Sequence, residues 1–413
     1  LKPTLQHEII AKEVVGILEN YSYKKVSAND SISNIVFDNL IKTLDEGKNY
    51  FLQSDIDEFQ KFRNNISQDM RNGDLSSAFY VFNRYNQRAL QSLEYALTQV
   101  DVPHQFNNEE TYVNYRDKLA WFSSEEELND QWRKRVKFDL LNLKLTSPAG
   151  KDESEKHKET IKKRYNNLIS QAKQTNSNDA FQLIMAAFTN AIDPHTTYYN
   201  PSFAQRFNED MSNTLEGIGA RLQMENEMVT IKEIIAGGPA FKDKTLKIDD
   251  RIIGVAQGNG EFEDIVGWRL DAAVAKIKGP KGTVVRLKVL PAGQDLSVQP
   301  TIIKLTREKI VIEEESAQKT IKTVKGEDGK SYKIGVITLP KFYIDFEAYR
   351  KRDPNYKSTT RDVKLILDTL KQEKVDAVVL DLRNNGGGSL QEAIELTGLF
   401  IEKGPVVQVK DTR

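Results

Sequence analysis

The hydrophobic residues of this chain change their spacing near Asp193-Pro194, and this change constrains the fold more than any other feature. Before it, apolar residues recur at the three- and four-residue intervals of amphipathic helices, as in 9–21 and 32–44. After it, glycine becomes frequent and apolar residues alternate or form short runs, which is typical of strands. The sequence therefore predicts an all-helical segment followed by mixed α and β structure, in more than one domain.

The composition excludes several classes of function. The 59 basic and 60 acidic residues nearly cancel, so nothing favours a nucleic acid partner. Without cysteine, the 413 residues cannot form disulfides, use thiolate catalysis or bind metal through sulfur. No His/Asp/Glu group has metal-ligand spacing, so we predict neither metal nor cofactor. The longest apolar runs, such as 375–382, are shorter than the roughly 20 residues of a membrane helix.

Local signals predict individual elements in each half. Ser54 with Asp57 and Ser124 with Glu127 have capping-box spacing, which predicts helices that begin there. In the module that follows we predict a helix over 268–278 and strands over 219–224, 228–234, 250–255, 283–289 and 301–305. Beyond it we predict helices over 362–370 and 389–400, strands over 333–339 and 375–382, and a strand-like run at 406–409. The alternation implies a mostly parallel sheet, with 375–382 buried on both faces.

A Gly-x-Gly turn, Gly217-Ile218-Gly219, stands before the first predicted strand. Such a turn leaves successive backbone N–H groups unpaired, and a nest of this kind can bind a carboxylate. The strand that follows would have a free edge to which an extended peptide can add. Taken alone, the motif is better explained as a plain tight turn, and only its context favours a binding site.

A second glycine cluster, Gly386-Gly387-Gly388, follows the apolar run 375–382. Glycines at the carboxyl end of a parallel strand let the backbone approach a ligand closely. Their N–H groups, at the start of the next helix, suit a developing oxyanion. A phosphate site is the alternative, although the Gly-Lys-Ser/Thr of a P-loop is absent.

Several reactive side chains near these motifs are better explained as structural. Ser389 directly follows the glycines, where we interpret it as the N-cap of the next helix rather than as a nucleophile. Arg383 is interpreted as an ion-pair partner that holds the glycine turn. Asp381 and Asp193 are likewise interpreted as structural, and His195 as a structural hydrogen-bonding residue rather than a catalytic base.

The order of elements after the Gly-x-Gly turn resembles a bacterial PDZ domain. The stretches that carry the resemblance are 234–240, 246–253, 268–274 and 277–283. Asp249 stands where the family usually has glycine. Because aspartate tolerates a left-handed backbone better than most residues, we expect this turn to be kept.

Together with the PDZ pattern, residues 381–388 are similar to the C-terminal processing peptidases, and the long helical first half resembles their tail-specific protease subgroup. Stretches 54–56, 191–196, 215–222 and 398–401 extend the resemblance over essentially the whole chain. Those enzymes use a Ser-Lys dyad on a crotonase-like α/β core. Their serine and lysine lie well beyond the Asn-Gly-Gly-Gly turn, so we expect both beyond Arg413 and expect residues 1–413 alone to be inactive.

The resemblance implies a multidomain fold and a set of site residues. The expected domains are an all-α N-terminal domain (1–197), an α+β PDZ domain (198–306) and the N-terminal part of an α/β, crotonase-like serine protease core (307–413). Gly387 and Gly388 would supply part of the oxyanion hole. The substrate-binding residues would be Glu216, Gly217, Ile218, Gly219, Ala220 and Leu222. The loop 216–219 would take the terminal carboxylate, and Ile218, Ala220 and Leu222 would take the penultimate side chains.

The function that the resemblance implies is that of a periplasmic serine endopeptidase whose partners are protein substrates with exposed apolar C-terminal tails. The chain begins with leucine rather than methionine, and we expect a signal peptide to have been removed. An adaptor protein and peripheral membrane association are further interactions that the resemblance allows. The alternative function is a non-catalytic scaffold that binds peptides through its PDZ domain.

Overall fold

The computed structural model describes residues 1–146, 153–294 and 296–410. Residues 147–152, 295 and 411–413, which belong to the three predicted domains, lie outside the described residues. The chain forms two compact units, Leu1–Asn200 and Pro201–Lys410.

The described part of the first unit is helical. Its α-helices are α1 (Leu5–Tyr21), α2 (Asp30–Asp45), α3 (Gln53–Phe59), α4 (Ile66–Asn72), α5 (Ser76–Gln99), α6 (Glu125–Thr146), α7 (Ser154–Gln174) and α8 (Ser177–Ile192). Helix α2 packs against α8, and α5 packs against both α6 and α7. One apolar cluster includes Phe37, Phe79 and Phe188, and a second one surrounds Trp132 and Tyr165. The predicted helical spacing of the first half is thus confirmed.

Only half of the predicted capping box at Ser124 forms. Ser124 Oγ accepts a hydrogen bond from the Glu127 amide at 3.2 Å, where α6 begins. The Glu127 carboxylate accepts from the Ser123 amide at 3.0 Å rather than from the Ser124 amide. The Ser54–Asp57 prediction is wrong, because α3 already begins at Gln53 and the carboxylate of Asp55 accepts from the Leu52 amide at 3.0 Å. Asp55 also forms ion pairs with two arginines of α5, which fixes the start of α3 against the core.

The second unit opens with α9 (Pro201–Ser212) and a short strand, β1 (Thr214–Gly217), and continues into a six-stranded sheet. Its strands are β2 (Ala220–Glu225), β3 (Met228–Ile234), β4 (Arg251–Gln257), β5 (Glu263–Asp264), β6 (Val284–Leu290) and β7 (Thr301–Thr306), with α10 (Pro239–Asp243) and α11 (Leu270–Ile277) between them. The order is β2-β3-β4-β6-β7, and β5 pairs with β4. The predicted strands and helix agree with these bounds to within two residues. Asp249 adopts the expected left-handed backbone, with φ of 68°.

The rest of the second unit forms two smaller β structures. Strand β8 (Glu308–Val311) pairs antiparallel with β1, in a ribbon that joins Glu216 to Lys309 and Gly217 to Glu308. A three-stranded sheet follows in the order β11-β10-β9, with its helices on the connections. These elements are β9 (Gln318–Lys325), β10 (Ser331–Thr338), α12 (Phe346–Arg350), α13 (Thr359–Gln372), β11 (Ala377–Asp381) and α14 (Leu390–Thr397).

The two strands predicted in this last region pair in parallel, as β10 and β11. The prediction of a mostly parallel sheet is wrong, because β9 joins β10 antiparallel and makes the sheet mixed. Two further predictions are also wrong. Strand β11 is an edge strand rather than a strand buried on both faces, and Val379 is 48% exposed. Helix α13 covers one face of the sheet, where Leu370 packs so closely on Gly335 that a Cβ there would lie 2.8 Å from it. The run 406–409 forms no strand and is exposed.

Candidate peptide-binding and oxyanion sites

The carboxylate loop, which we define as residues 216–219, has the geometry of an anion nest. Gly217 and Gly219 have positive φ angles of 157° and 76°. The carbonyl of Ile218 accepts from the Ala240 amide and that of Gly219 from the Ile235 amide, both at 2.9 Å. Within the described residues, the Ile218 and Gly219 amides have no acceptor. The carbonyls are therefore fixed while two neighbouring N–H groups are left for a ligand.

Close packing beneath the loop requires glycine at its centre. A Cβ on Gly219 would lie 3.0 Å from Gly238 Cα and 3.0 Å from Cδ1 of Ile310, a residue of β8. Ile310 itself is 4% exposed. A side chain at position 219 would therefore displace either the α10 turn or β8.

A groove leads away from the carboxylate loop along β2. Strand β2 is the outer strand of its sheet and contacts α11. Ala220, Leu222 and Met224 alternate along β2 and pack, half-buried, against the core. A peptide that adds to this edge would find the apolar side chains of β2 on one side of it and α11 on the other.

The structure places the predicted substrate-binding residues in four different settings. Ala220 and Leu222 lie in the groove, and the glycines shape the carboxylate loop. The side chain of Ile218 is 3% exposed and belongs to the apolar core, so its amide is the group available to a ligand. Glu216 is exposed and its backbone pairs with Lys309. The contacts of these residues with a peptide stay predictions.

A buried arginine holds the wall of the groove. Arg307 is 2% exposed, and its guanidinium donates to the carbonyls of Lys276 (3.0 Å) and Ile277 (2.9 Å) at the end of α11. It also donates to Gln257 Oε1 at 2.7 Å and Thr283 Oγ1 at 2.9 Å. A cation stabilises the carbonyl end of a helix, where the last carbonyls have no partner within the helix. Arg307, which directly follows β7, donates to two of these carbonyls and so holds the end of α11 against β7.

Of the two predicted oxyanion donors in the glycine turn, residues 384–388, one amide is free and the other is occupied. Gly387 and Gly388 have φ angles of 90° and 136°. The Gly387 N–H donates to Asn385 Oδ1 at 2.7 Å, and the side-chain amide of Asn385 donates to the Leu339 carbonyl at 2.9 Å. The Gly388 N–H has no acceptor among the residues that the structure describes. Their role in an oxyanion hole stays a prediction, and Gly388 is the donor that this conformation leaves available.

A segment that we call the strap, residues 341–345, packs directly on the glycine turn. The Phe342 amide donates to the Gly387 carbonyl at 2.8 Å, and the Ser389 amide donates to the Phe342 carbonyl at 2.8 Å. A Cβ on Gly388 would lie 2.2 Å from the Phe342 carbonyl oxygen. The strap therefore fixes the turn and also requires glycine at position 388.

The reactive side chains near the turn have structural partners. Ser389 is the N-cap of α14, and its Oγ accepts from the Glu392 amide at 3.3 Å, as predicted. Arg383 forms the predicted ion pair, with Asp381, at 2.7 Å. Hydrogen bonds from Arg383 lower the pKa of the partly buried Asp381 carboxyl to about 2. His195 is exposed, and its backbone amide donates to Asp193 at 2.7 Å.

Glu392 is a buried acid that the sequence did not single out. Its side chain is 0% exposed, and one oxygen accepts from the Thr360 amide at 2.8 Å, at the start of α13. The other oxygen has no partner among the described residues. Burial raises the pKa of this carboxyl above its ordinary value, against the hydrogen bonds from Thr360. A helical glutamate gives no sequence signal of burial, and only the packing of α14 against α13 reveals it.

Neither a metal centre nor a membrane helix is visible in the described part of the chain. No three histidine or acidic side chains among those residues group closely enough to hold an ion. No described helix is long and apolar enough to cross a bilayer.

Three domain families match the chain in succession. Residues 14–202 match the tail specific protease N-terminal domain, residues 208–290 the PDZ domain, and residues 333–413 peptidase family S41. These matches define a multidomain chain in which a PDZ domain lies between a helical domain and the start of a peptidase domain. Together with the relatives that follow, they show that the chain belongs to the tail-specific protease family.

Proteins of similar sequence are also tail-specific or carboxy-terminal processing proteases. A tail-specific protease of Haemophilus influenzae is 40% identical over 407 residues, which are 98% of this chain and 55% of that protein. The carboxy-terminal processing protease CtpA of Bacillus subtilis is 32% identical over 222 residues, 53% of this chain and 40% of that protein. The chain thus spans about half the length of these relatives.

A solved structure also matches part of the chain. It is the PDZ domain of a carboxy-terminal protease from Vibrio cholerae in complex with a peptide, 49% identical, covering 24% of this chain and 97% of that one, with a TM-score of 0.23.

Proposed function

We propose that the whole protein is a periplasmic serine endopeptidase that selects substrates by an exposed, apolar C-terminal tail. The observation that carries the proposal is the pair of free amides in the carboxylate loop beside the open edge of β2. Membership of the tail-specific protease family supports the peptidase part of it. The periplasmic location, an adaptor protein and a peripheral membrane association are parts of the proposal that rest on the family resemblance alone.

Recognition follows from the chemistry of the groove. The terminal carboxylate of the substrate accepts hydrogen bonds from the Ile218 and Gly219 amides. The Gly219 amide is positioned in advance, because the Ile218 carbonyl of the same peptide unit is held by the Ala240 amide. The peptide then pairs with β2, and its apolar side chains pack on Ala220 and Leu222. An amidated terminus carries no negative charge and would leave the two amides without an anion.

Hydrolysis would use a serine and a lysine outside residues 1–413. A buried lysine loses its proton readily and can act as general base for the serine hydroxyl. The Gly388 amide would then stabilise the tetrahedral oxyanion. The Gly387 amide joins it only when Asn385 releases it, because the two are hydrogen-bonded at 2.7 Å.

Titration of peptides tests the recognition step. A peptide with small apolar residues and a free C-terminal carboxylate should bind residues 1–413 at least several-fold more tightly than its amidated form. Gly219→Ala should abolish this preference, because the Cβ of the alanine would lie only 3.0 Å from Gly238 Cα and from Ile310 Cδ1. Gly237→Ala is the matched control, because Gly237 has a similar φ of 77° but open space around its Cβ position. Equal binding of both peptides would refute this function for the groove.

Hydrolysis is tested by comparing two chains on one unstructured substrate with a free apolar C-terminus. Residues 1–413 should show no turnover, whereas the whole natural protein should cleave the substrate and be blocked by a serine-directed inhibitor. Turnover by both at similar rates would place the active site within these residues. Peptide binding without turnover by the whole protein would favour the scaffold function instead.

A further inference from the structure

Glu392 joins the helix that follows the glycine turn to the neighbouring helix. It lies in the first turn of α14, whose N-cap, Ser389, comes directly after Gly388. The carboxyl of Glu392 reaches across to α13, where its Oε2 accepts a hydrogen bond from the Thr360 amide at 2.8 Å. Thr360 Oγ1 in turn donates to the Glu392 carbonyl at 3.4 Å. The start of α14 is therefore fastened to the start of α13 by both the side chain and the backbone of one residue.

Hydrogen bonds continue from α13 through the strap and back to the glycine turn. The Thr359 amide donates to the Tyr343 carbonyl at 3.0 Å, and the Tyr343 amide donates to Thr359 Oγ1 at 2.8 Å. The preceding strap residue, Phe342, bonds to Gly387 and Ser389 through its backbone. Thr359 and Tyr343 are both 0% exposed, so water does not compete for their bonds. The glycine turn, α14, α13 and the strap thus form a closed ring of hydrogen bonds, which Glu392 completes.

Glu392 also supplies a cap that α13 lacks by itself. The first amides of a helix have no acceptor within that helix. Ser358, the N-cap of α13, accepts from the Arg361 amide at 3.2 Å. The Thr360 amide, one residue earlier, has its acceptor in Glu392. Loss of this carboxyl would leave an N–H group at a packed helix end without a partner and would loosen the contact between the two helices.

The surroundings of Glu392 favour a neutral carboxyl. The residue is 0% exposed, and its Oε1 has no hydrogen-bond partner among the described residues. An ionised carboxylate in this place would be a buried charge with one oxygen unsatisfied, which costs more than an unsatisfied neutral group. The neighbouring cations do not offset this cost, because Lys357 and Arg361 pair with Asp362. Burial accordingly raises the pKa of Glu392, although nearby hydrogen bonds act in the opposite direction.

Few other groups around Glu392 can change their charge near neutral pH. All four histidines precede residue 200, so none belongs to 201–410. Glu395, one turn further along α14, raises the pKa of Glu392 further. Burial raises the pKa of Tyr343 and Tyr356 above the ordinary value of tyrosine, so both stay neutral up to about pH 9. On α12, Tyr349 accepts a hydrogen bond from the first turn of α14 at 3.0 Å. The charged side chains on the strap and at the start of α13 are held in ion pairs; they are Lys341, Asp345, Lys357, Arg361 and Asp362.

We propose that Glu392 is a positioning residue for the oxyanion donors, and that its neutral carboxyl completes the ring which holds the Gly388 amide in place. The proposal rests on the proposed function, because it concerns the turn that would stabilise the oxyanion. Ionisation puts a charge where the described residues offer one amide and no cation. The carboxylate then moves toward solvent, its bond to Thr360 is lost, and the start of α14 shifts together with the Gly388 amide. Turnover therefore falls as pH rises through the pKa of Glu392.

The test compares kcat from about pH 5 to about pH 9 in the whole natural protein and in its Glu392→Gln variant. Glutamine is neutral throughout this range and keeps an oxygen for the Thr360 amide. The two kcat values should agree within about twofold at the acid end. At the alkaline end the variant should exceed wild type by about fivefold or more, the lower end of the usual coupling between sites. The pH dependence of the lysine base is common to both proteins and cancels in their ratio. The Kd of a free-carboxylate peptide should be the same in both within about twofold, because the carboxylate loop is not part of the ring.

Glu395→Gln is the matched control, because it makes the same change one turn further along α14, where the carboxylate accepts from Gln391 at 2.7 Å. It should keep the fall in kcat at high pH. A ratio between Glu392→Gln and wild type that stays constant over the pH range would overturn the proposal, even if the variant were slower throughout. If Glu392→Gln did not fold, Glu392→Met, which is also neutral and of similar length, would decide in the same way. A wild-type protein that cleaved amidated and free substrates equally would instead refute the proposed function.

Discussion

Gly388 and Gly387 lie side by side in the glycine turn, yet alanine should have very different effects at the two positions. Both have a positive φ, and an alanine forced into such a backbone costs about 1–3 kcal/mol. Alanine also has less conformational freedom than glycine in the unfolded chain, and this difference offsets about 0.4–1 kcal/mol of the cost. No atom lies within 4 Å of the position that a Cβ on Gly387 would occupy, so Gly387→Ala should cost only about 1–2 kcal/mol.

At Gly388 the new carbon would lie 2.2 Å from the Phe342 carbonyl oxygen. The strap must then move, and the two hydrogen bonds of Phe342 with Gly387 and Ser389 are strained or lost. Each such bond is worth about 1 kcal/mol, and overpacking adds about 1–3 kcal/mol. Gly388→Ala should therefore destabilise this region by at least about 4 kcal/mol, some 3–5 kcal/mol more than Gly387→Ala.

Amide hydrogen exchange is the suitable assay, because the tryptophans, Trp121, Trp132 and Trp268, all precede the region. Each 1.4 kcal/mol changes the opening equilibrium about tenfold. Peptides that cover the strap and α14 should exchange about tenfold faster in Gly387→Ala and at least several hundred-fold faster in Gly388→Ala. Equal acceleration in both variants would refute the reasoning, since it would mean that the strap does not pack on Gly388.

Two further predictions concern α14. Ser389→Ala should lower the melting temperature of the second unit by about 2–4 °C, through loss of about 1 kcal/mol of N-cap stabilisation, while the whole protein keeps its turnover within a few-fold; a thousand-fold loss of turnover would make Ser389 the nucleophile. Because the pKa of Glu392 is raised by burial, the folded chain holds this proton more tightly than the unfolded chain, and stability falls as pH rises through that pKa. Thermal melts at pH 5 and pH 8 should therefore show Glu392→Gln gaining stability relative to wild type at the higher pH, and an equal difference at both would contradict the assignment.

Periodic apolar spacing predicted the elements that bury one face. Strands β3 and β7 and the long helices were located correctly, because a half-buried strand or helix repeats its apolar residues at a fixed interval. Strands β1 and β8 were not predicted: each has only four residues, too few for a pattern to show. Strand β9 was missed because its residues are almost all exposed, so no alternation of apolar and polar residues marks a buried face.

Chemical motifs predicted backbone geometry better than side-chain contacts. The two glycine clusters indicated where the chain adopts positive φ, since that requirement is local. The fate of individual N–H groups was not predictable, because it depends on Asn385 and on carbonyls that lie elsewhere in the fold. The ion pair between Lys309 and Asp345 and the buried position of Arg307 depend on residues far apart in the chain, and no local pattern marks them.

The position of Arg307 also decides how much chain an independent PDZ domain needs. Its guanidinium donates hydrogen bonds to Gln257, to the end of α11 and to Thr283, all of which come earlier in the chain. During synthesis the module cannot complete its fold until residue 307 has emerged. A domain excised at 290 or at 306 would leave two helix carbonyls and a buried pocket without their cation, whereas extending it through β8 restores both the arginine and the strand that supports the carboxylate loop.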